Sequence, residues 1–373
     1  MKVALVYDRV NKIGGAERVL ETLHEIFPEA PIYTAVYNSE TAPWAKKFKV
    51  IPSFLQKLPL AQSRHEFFPY LMPLAFESFN FDEYDVVISI TSEAAKGILT
   101  KPKTLHLCYC LTPTRYLWSG YEDYFRTSVF KLFSSPLVAY LRHWDKIACQ
   151  RPDFYLAISE NVKKRIKKYY GRDSEILYPP VDLRKWKAVD SRQKAESYFL
   201  VVSRLVSYKR VDIAVEAFNQ LGLPLKIIGK GIQEIMLKRK AKKDIEFLGQ
   251  LTDKELLSYY QRCQAVIFPQ EEDFGLVPLE AQACGKPVIA YQGGGALETI
   301  VDSTKARHLD GQGPTGEFFS PQTSQALIKV IKSFKAARFQ PDDCRQQAEK
   351  FGKEIFKKRF KEIVEEKWKN FQS

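Results

Sequence analysis

At 373 residues the chain is too long for one compact core and suits two domains of ordinary size, and its 45% hydrophobic content excludes a disordered protein. A formal net charge of +13 asks for an anionic partner, whether nucleic acid, an anionic membrane or a phosphorylated substrate. No helix-turn-helix, zinc-finger or aromatic RNA-binding pattern is present, and no apolar run nears the ~20 residues of a membrane-spanning helix, which sets aside nucleic-acid binding and an integral membrane protein.

Met1-Lys2 leads straight into Val3-Ala4-Leu5-Val6-Tyr7, read as a buried strand with no signal peptide before it. Gly14-Gly15 then opens a helix whose apolar positions Val19, Leu20, Leu23, Ile26 and Phe27 keep helical spacing. Glycines at a helix start let backbone approach a phosphate closely. Further buried strands are expected at 85–90, 104–109 and 154–159, the last followed by a helix capped by Ser159. The Pro-containing, polar stretch from Pro179-Pro180 to Lys194 marks a domain boundary. A second alternating series follows, with strands at 198–203, 225–229, 245–248, 265–268 and 287–290 and a helix marked by Val211, Ala214, Val215, Phe218 and Leu221. Strands alternating with helices predict two Rossmann-like, doubly wound parallel sheets, with ligands at the C-terminal ends of their strands and a cleft between the domains. The boundaries are 1–182 and 183–349, and a last helix within 350–373 is expected to pack back on the first domain. Gly229-Lys230-Gly231 lacks the third glycine of a dinucleotide fingerprint, Glu234 standing there instead, which speaks against NAD.

The six cysteines show no metal spacing. Cys108 and Cys110 flank Tyr109 without a matching ligand pair, so a reduced, cytoplasmic protein with no structural metal is expected. Much of the positive charge lies in helical runs such as 163–168 and 238–243. Each run alone reads as a solvated helix face. Their sum favours approach to an anionic bilayer, where each nearby cation contributes on the order of 1 kcal/mol.

The most informative stretch is Glu271-Glu272-Asp273-Phe274-Gly275-Leu276-Val277-Pro278-Leu279-Glu280, continued by Ala-Gln-Ala-Cys-Gly-Lys-Pro-Val-Ile-Ala. It reads as a strand end, a Phe-Gly turn and a small-residue helix. The first N–H groups of such a helix have no internal partner and form an anion pocket. A Glu at a helix start is stabilised by the macrodipole in any protein. The apolar neighbours of Glu280, however, leave little solvent-facing surface for a merely solvated acid. Glu271 competes with Glu272 as the first acid. In the loop after the strand at 198–203, Arg204 and Lys209 are cations five positions apart, with Arg210 a substitute for Lys209. Two cations there can reach one cleft and suit an anionic group. Gly293-Gly294-Gly295 before Glu298 is a further candidate lining.

At this point the residues resemble a known family. Glu272 through Glu280 resembles the E-x7-E signature of the retaining glycosyltransferases of family 4, which have the GT-B fold. Gly14-Gly15-Ala16-Glu17 resembles their N-terminal glycine turn, Pro179-Pro180-Val181-Asp182 their interdomain segment, and Ser203 through Arg210 their phosphate-binding Arg and Lys pair. The resemblance covers nearly the whole chain. It implies that Glu280 holds the nucleotide ribose and Glu272 the donor sugar. It also implies that Arg204, Lys209 and the amides around Phe274, Gly275, Leu276 and Val277 bind phosphate, with Gly14 and Gly15 facing the diphosphate from the other domain. The first domain would take the acceptor and the second the donor. No cofactor or metal is expected, the donor being a substrate, and no covalent nucleophile is assigned. The E-x7-E spacing fits donor binding better than the acid and base of a hydrolase.

One departure stands out. Cys110-Leu111-Thr112-Pro113-Thr114-Arg115-Tyr116-Leu117-Trp118 resembles a family stretch that commonly reads His-Thr-Pro, and here the His position is Leu111. His106 is near in sequence but suits a core strand position better, and Arg115 is a replacement candidate. On the acceptor side, Phe54, Leu55, Leu58, Phe67, Phe68, Leu71, Met72 and Phe76 form one apolar region. Phe125, Val129, Phe130, Leu132, Phe133, Leu137 and Leu141 form a second. Most such residues pack inside; the sharper reading is a surface that meets a lipid-linked acceptor. The leading expectation is transfer of a hexose, mannose from GDP-mannose first, to a glycan or lipid-linked acceptor in polysaccharide assembly, at the inner face of the plasma membrane. The alternatives are a non-catalytic nucleotide-sugar or glycan-binding module and a GT-B sugar epimerase.

Overall fold

The computed structural model describes residues 1–124, 128–186, 196–303 and 312–373, with the side chains of 123–134 set aside. Phe125, the side chains at 129–133 and residues 187–194 of the boundary stretch therefore lie outside the described residues. The chain divides into two compact units, Met1–Pro180 with Phe356–Ser373, and Val181–Ile355.

The first unit carries a seven-stranded parallel sheet: β1 (Val3–Tyr7), β2 (Ile32–Thr34), β3 (Val50–Pro52), β4 (Val86–Thr91), β5 (Leu105–Cys110), β6 (Phe154–Ala157) and β7 (Glu175–Ile176). Their order is β3-β2-β1-β4-β5-β6-β7. The second unit has six parallel strands: β8 (Phe199–Val202), β9 (Leu225–Ile228), β10 (Ile245–Gly249), β11 (Val266–Phe268), β12 (Val288–Tyr291) and β13 (Gly316–Phe319). Their order is β10-β9-β8-β11-β12-β13. In both units the order runs outward from the first strand and then reverses, so a crevice opens at one defined place, between β1 and β4 and between β8 and β11.

Central strands are buried on both faces and read as continuous apolar runs; β1, β4 and β5 are buried along their whole length. Helices cover the faces. Gly15–Ile26 packs Val19, Leu20 and Leu23 inward, and Val211–Leu221 does the same with Ala214, Val215 and Phe218. Ser159 caps the helix Glu160–Tyr170, its Oγ accepting from the Val162 amide at 3.0 Å, as the sequence predicts. The apolar segment 54–76 splits: Leu55, Met72 and Phe76 join the core of the first unit, while Phe54 and Phe67 stay exposed.

The last helix, Lys353–Gln372, buries Phe356, Phe360, Ile363 and Val364. Phe360 is fully buried, with the rings of Phe27 at 6.4 Å and Tyr109 at 6.1 Å. This ring fastens the chain's end to the first unit's sheet. Phe360→Ala should cost about 3–5 kcal/mol, read as a lower urea midpoint; an unchanged midpoint would show that the helix is held by something else.

His106 lies on β5, fully buried, its Nε2 2.8 Å from Ser89 Oγ. Burial, aided by the charges of Arg151 and Arg172, drives its imidazole down to about 3. The unfolded chain takes up that proton as pH falls through about 6.5, whereas the folded chain resists it to about 3. The unfolded state thus binds more protons across that window, and stability falls as pH falls. His106→Gln should flatten the stability-against-pH slope there, measured by urea unfolding at stepped pH; an identical slope would contradict the buried neutral assignment.

Candidate active site

In the second unit the crevice strands are β8 and β11, and the sequence-predicted cations and acids stand on the loops that leave them. The loop after β8 is tied down by Leu205, which is buried and donates its amide to the Lys230 carbonyl at 3.0 Å. A single 3-10 turn, Ser207–Lys209, follows, and Arg210 then takes a left-handed conformation at φ 50° to start the helix Val211–Leu221. That reversal separates two neighbouring cations. Arg210 turns to Asp212 at 3.3 Å and Gln322 at 3.3 Å. Lys209, only 9% exposed, instead pairs with Glu272 across 63 residues of sequence. Arg204 is exposed and donates to the Tyr208 hydroxyl at 2.6 Å. Tyr208 lies between the two cations, its ring centre 6.0 Å from Arg204 and 5.4 Å from Lys209.

Glu272 follows β11 after Gln270. Gln270 is buried and donates Nε2 to the same Glu272 oxygen that Lys209 takes, at 3.0 Å. The Glu272 carbonyl accepts from the Gly295 amide at 2.9 Å. The glycine run expected to line the site does so by necessity. A Cβ on Gly294, whose φ is 60°, would lie 2.2 Å from the Glu272 carbonyl oxygen, and one on Gly295 2.3 Å from the Phe274 backbone. Glu271 is exposed and Glu272 half-buried, and of the two it is Glu272 that meets Lys209.

Phe274 is buried and Gly275, at φ 90°, turns the chain into the helix Leu276–Ala283. Among the described residues no side chain caps this helix, and Pro278 in its first turn has no N–H. Leu276 and Val277 are thus the leading amides at its N-terminus, where the helix dipole favours an anion. Glu280, one turn further and 4% exposed, accepts from the fully buried Tyr260 hydroxyl at 3.0 Å. Tyr260 stands edge-on to Trp186 with ring centres 5.4 Å apart. Three side chains of this arrangement, Tyr208, Gln270 and Tyr260, are missed by sequence reasoning. Tyr208 and Gln270 could have been found by their places inside the two motifs; Tyr260 carries no such signal.

Gly14 and Gly15 belong to the first unit, at the start of Gly15–Ile26. Gly14 is extended there, so its φ does not call for a glycine. A Cβ would meet the Glu17 carboxylate at 3.0 Å, and Glu17 is in turn held by the Tyr7 hydroxyl at 2.7 Å. Beside it, Asp8 ends β1 and accepts from Thr91 Oγ1 and the amides of Ser92, Glu93 and Ala95 at 2.7–3.0 Å. Burial raises the Asp8 carboxyl, and nearby Glu93 adds to it.

Leu111 follows β5 and is half-buried, its amide bound to the Thr91 carbonyl at 2.8 Å. The rest of its segment is fixed by a buried ion pair, Lys96 with Asp145 at 2.5 Å. Asp145 also accepts from Thr114 Oγ1 at 3.0 Å and Trp118 Nε1 at 2.7 Å. Among the described residues no group of three or more His, Cys, Asp or Glu is placed to hold a metal, and no helix is long and apolar enough to cross a membrane.

Residues 182–351 match the family described as glycosyl transferases group 1. An uncharacterized glycosyltransferase of Methanocaldococcus jannaschii is 33% identical over 165 residues, 42% of this chain and 43% of that protein. The O-antigen chain mannosyltransferase C of Escherichia coli is 25% identical over 215 residues, 54% of each. The chain spans about half the length of these curated relatives. Among solved structures, Anabaena HepE in complex with UDP superposes with a TM-score of 0.71 at 18% identity, covering 98% of this chain and 100% of that one. The fold is therefore that of the GT-B glycosyltransferases.

Proposed function

We propose that this protein is a retaining hexosyltransferase that binds a nucleotide-diphosphate sugar on its second unit and passes the hexose to a glycan or lipid-linked acceptor. The observation that carries the reading is the Lys209–Glu272 pair, which joins the two sequence motifs at the strand-order reversal. A buried ammonium held beside a carboxylate is kept in position, where it can meet a diphosphate. With Arg204 and the amides of Leu276 and Val277, it neutralises charge that grows on the leaving diphosphate. Glu272 contacts the donor sugar and Glu280 the ribose. The chain supplies position and electrostatics rather than a covalent nucleophile, and the reaction uses no metal.

Mannose from GDP-mannose is the proposed donor, supported by the mannosyltransferase name of the Escherichia coli relative; the UDP of the HepE complex supports a uridine donor instead. A thermal-shift screen separates them. A nucleotide at 100 times its dissociation constant adds about 2.7 kcal/mol, so GDP should raise the melting temperature well above UDP and ADP; a larger rise with UDP would replace the guanosine assignment.

Glu272→Ala tests the role of the pair. Donor turnover with a membrane extract as acceptor should fall about 10²-fold, while GDP affinity by calorimetry should stay within about threefold, because the sugar contact is lost and the nucleotide contacts remain. Equal losses in both would contradict the sugar-contact role.

A further inference from the structure

The helix Glu234–Lys240 follows the Gly229-Lys230-Gly231 turn at the end of β9, and its two sides differ in chemistry. Leu237 is fully buried and, with Ala241, packs against the second unit's core. On the outer side Ile232 is 90% exposed, Ile235 69% and Met236 39%, and Arg239 is exposed beside them. Ile235, Met236 and Arg239 share one side of the helix, and Ile232 stands in the turn just before it, so the four form one outward stripe. The helix already has an inward face, so this stripe is a second, outward one. Isoleucine is among the residues most often found inside, and aligned exposed isoleucines mark a surface that meets something.

Cations border the stripe. At 100° per residue, Lys238 stands on one side and Lys240 on the other, with Lys242 and Lys243 just beyond. Residues 230–244 carry six Lys or Arg against two acids, Glu234 and Asp244. Among the described residues only Lys238 of these six forms an ion pair, with Glu234 at 2.7 Å. Nucleic acid would satisfy the cations but leave the isoleucines in water, and this helix offers no aromatic ring for bases to stack on. A second copy would set one row of lysines against another. A bilayer with anionic headgroups satisfies both chemistries at once, acyl boundary against the stripe and phosphates against the ammonium groups.

We propose that this outer face docks on an anionic bilayer surface, with Ile232, Ile235 and Met236 in the interface and Arg239, Lys240 and Lys243 on the headgroups. The stripe begins next to the cation loop: the Gln233 amide donates to the Leu205 carbonyl at 2.9 Å, and Leu205 lies between Arg204 and Val206. Docking therefore sets that loop beside the membrane.

The test is flotation of the full chain with vesicles of phosphatidylglycerol and phosphatidylcholine, against phosphatidylcholine alone, at low and high salt. The chain should float only with the anionic vesicles and leave them as salt rises. The Arg239→Gln, Lys240→Gln variant should bind roughly 25-fold more weakly, about fivefold for each cation. The Ile235→Ser, Met236→Ser variant should lose flotation even at low salt. All four positions are exposed, and circular dichroism melts unchanged from the parent show that folding is intact. The proposal is overturned if the parent does not float at low salt, if both variants float as the parent does, or if sedimentation shows a dimer that the serine variant abolishes.

Discussion

The second unit depends on one topological fact, the reversal of strand order between β8 and β11. In a parallel sheet all loops of one end leave on the same side, and neighbouring strands usually send their connections in one direction. Where the order reverses, the loops part and side chains from two distant strands can meet between them. Arg204, Tyr208 and Lys209 leave β8, and Gln270 and Glu272 leave β11. An ion pair between residues 63 apart cannot arise from local structure, and here the sheet brings the two together. Gly294 and Gly295 then close the arrangement from β12, because any side chain at either position would collide with the backbone of Glu272 or Phe274.

The first unit has the same strand order but treats its reversal differently. Asp8 accepts from Thr91 at the end of β4 and from three amides just beyond it, and that loop becomes part of the scaffold. Glu17 folds back toward Gly14 while Tyr7 holds its other oxygen. A carboxylate already supplies the negative charge that the start of Gly15–Ile26 attracts. In the second unit the helix Leu276–Ala283 begins at a glycine with no side-chain cap among the described residues. The two helix starts therefore differ in what stands beside them, a carboxylate at the first and, among the described residues, no side-chain cap at the second.

Much of this was legible in the amino-acid order. Long apolar strands such as β4 and β5 announce themselves because their burial is complete, and the turn from Glu272 to Glu280 does so by two acids set either side of a Phe-Gly turn. The strands at Ile32–Thr34, Val50–Pro52, Glu175–Ile176 and Gly316–Phe319 did not, being two to four residues long and too short to show a period. Lys209 could not be told from Arg210 by spacing; the left-handed turn at Arg210 decides it, and φ is not written in a lysine-arginine pair. Tyr260 was hidden for another reason. Its role exists only through a carboxylate 20 residues away, on a different helix.

The lysine-rich run at 238–243 shows the limit from the other side. As a string it is a charged helix face, and the solvated reading is sound for Lys238, which has Glu234 one turn away. What the string conceals is which side of the helix is already satisfied. Leu237, Ile235 and Met236 are equally apolar in sequence, and only packing shows that Leu237 alone is buried. Once one apolar residue has the core, the other two need a separate cause. Charge and apolar surface on the same outer stripe then restrict the partner more tightly than net charge can. A polyanion explains the lysines and a protein groove the isoleucines, but a bilayer interface accommodates both without burying a cation, because lysine stems lie along the apolar boundary while their ammonium groups reach the headgroups.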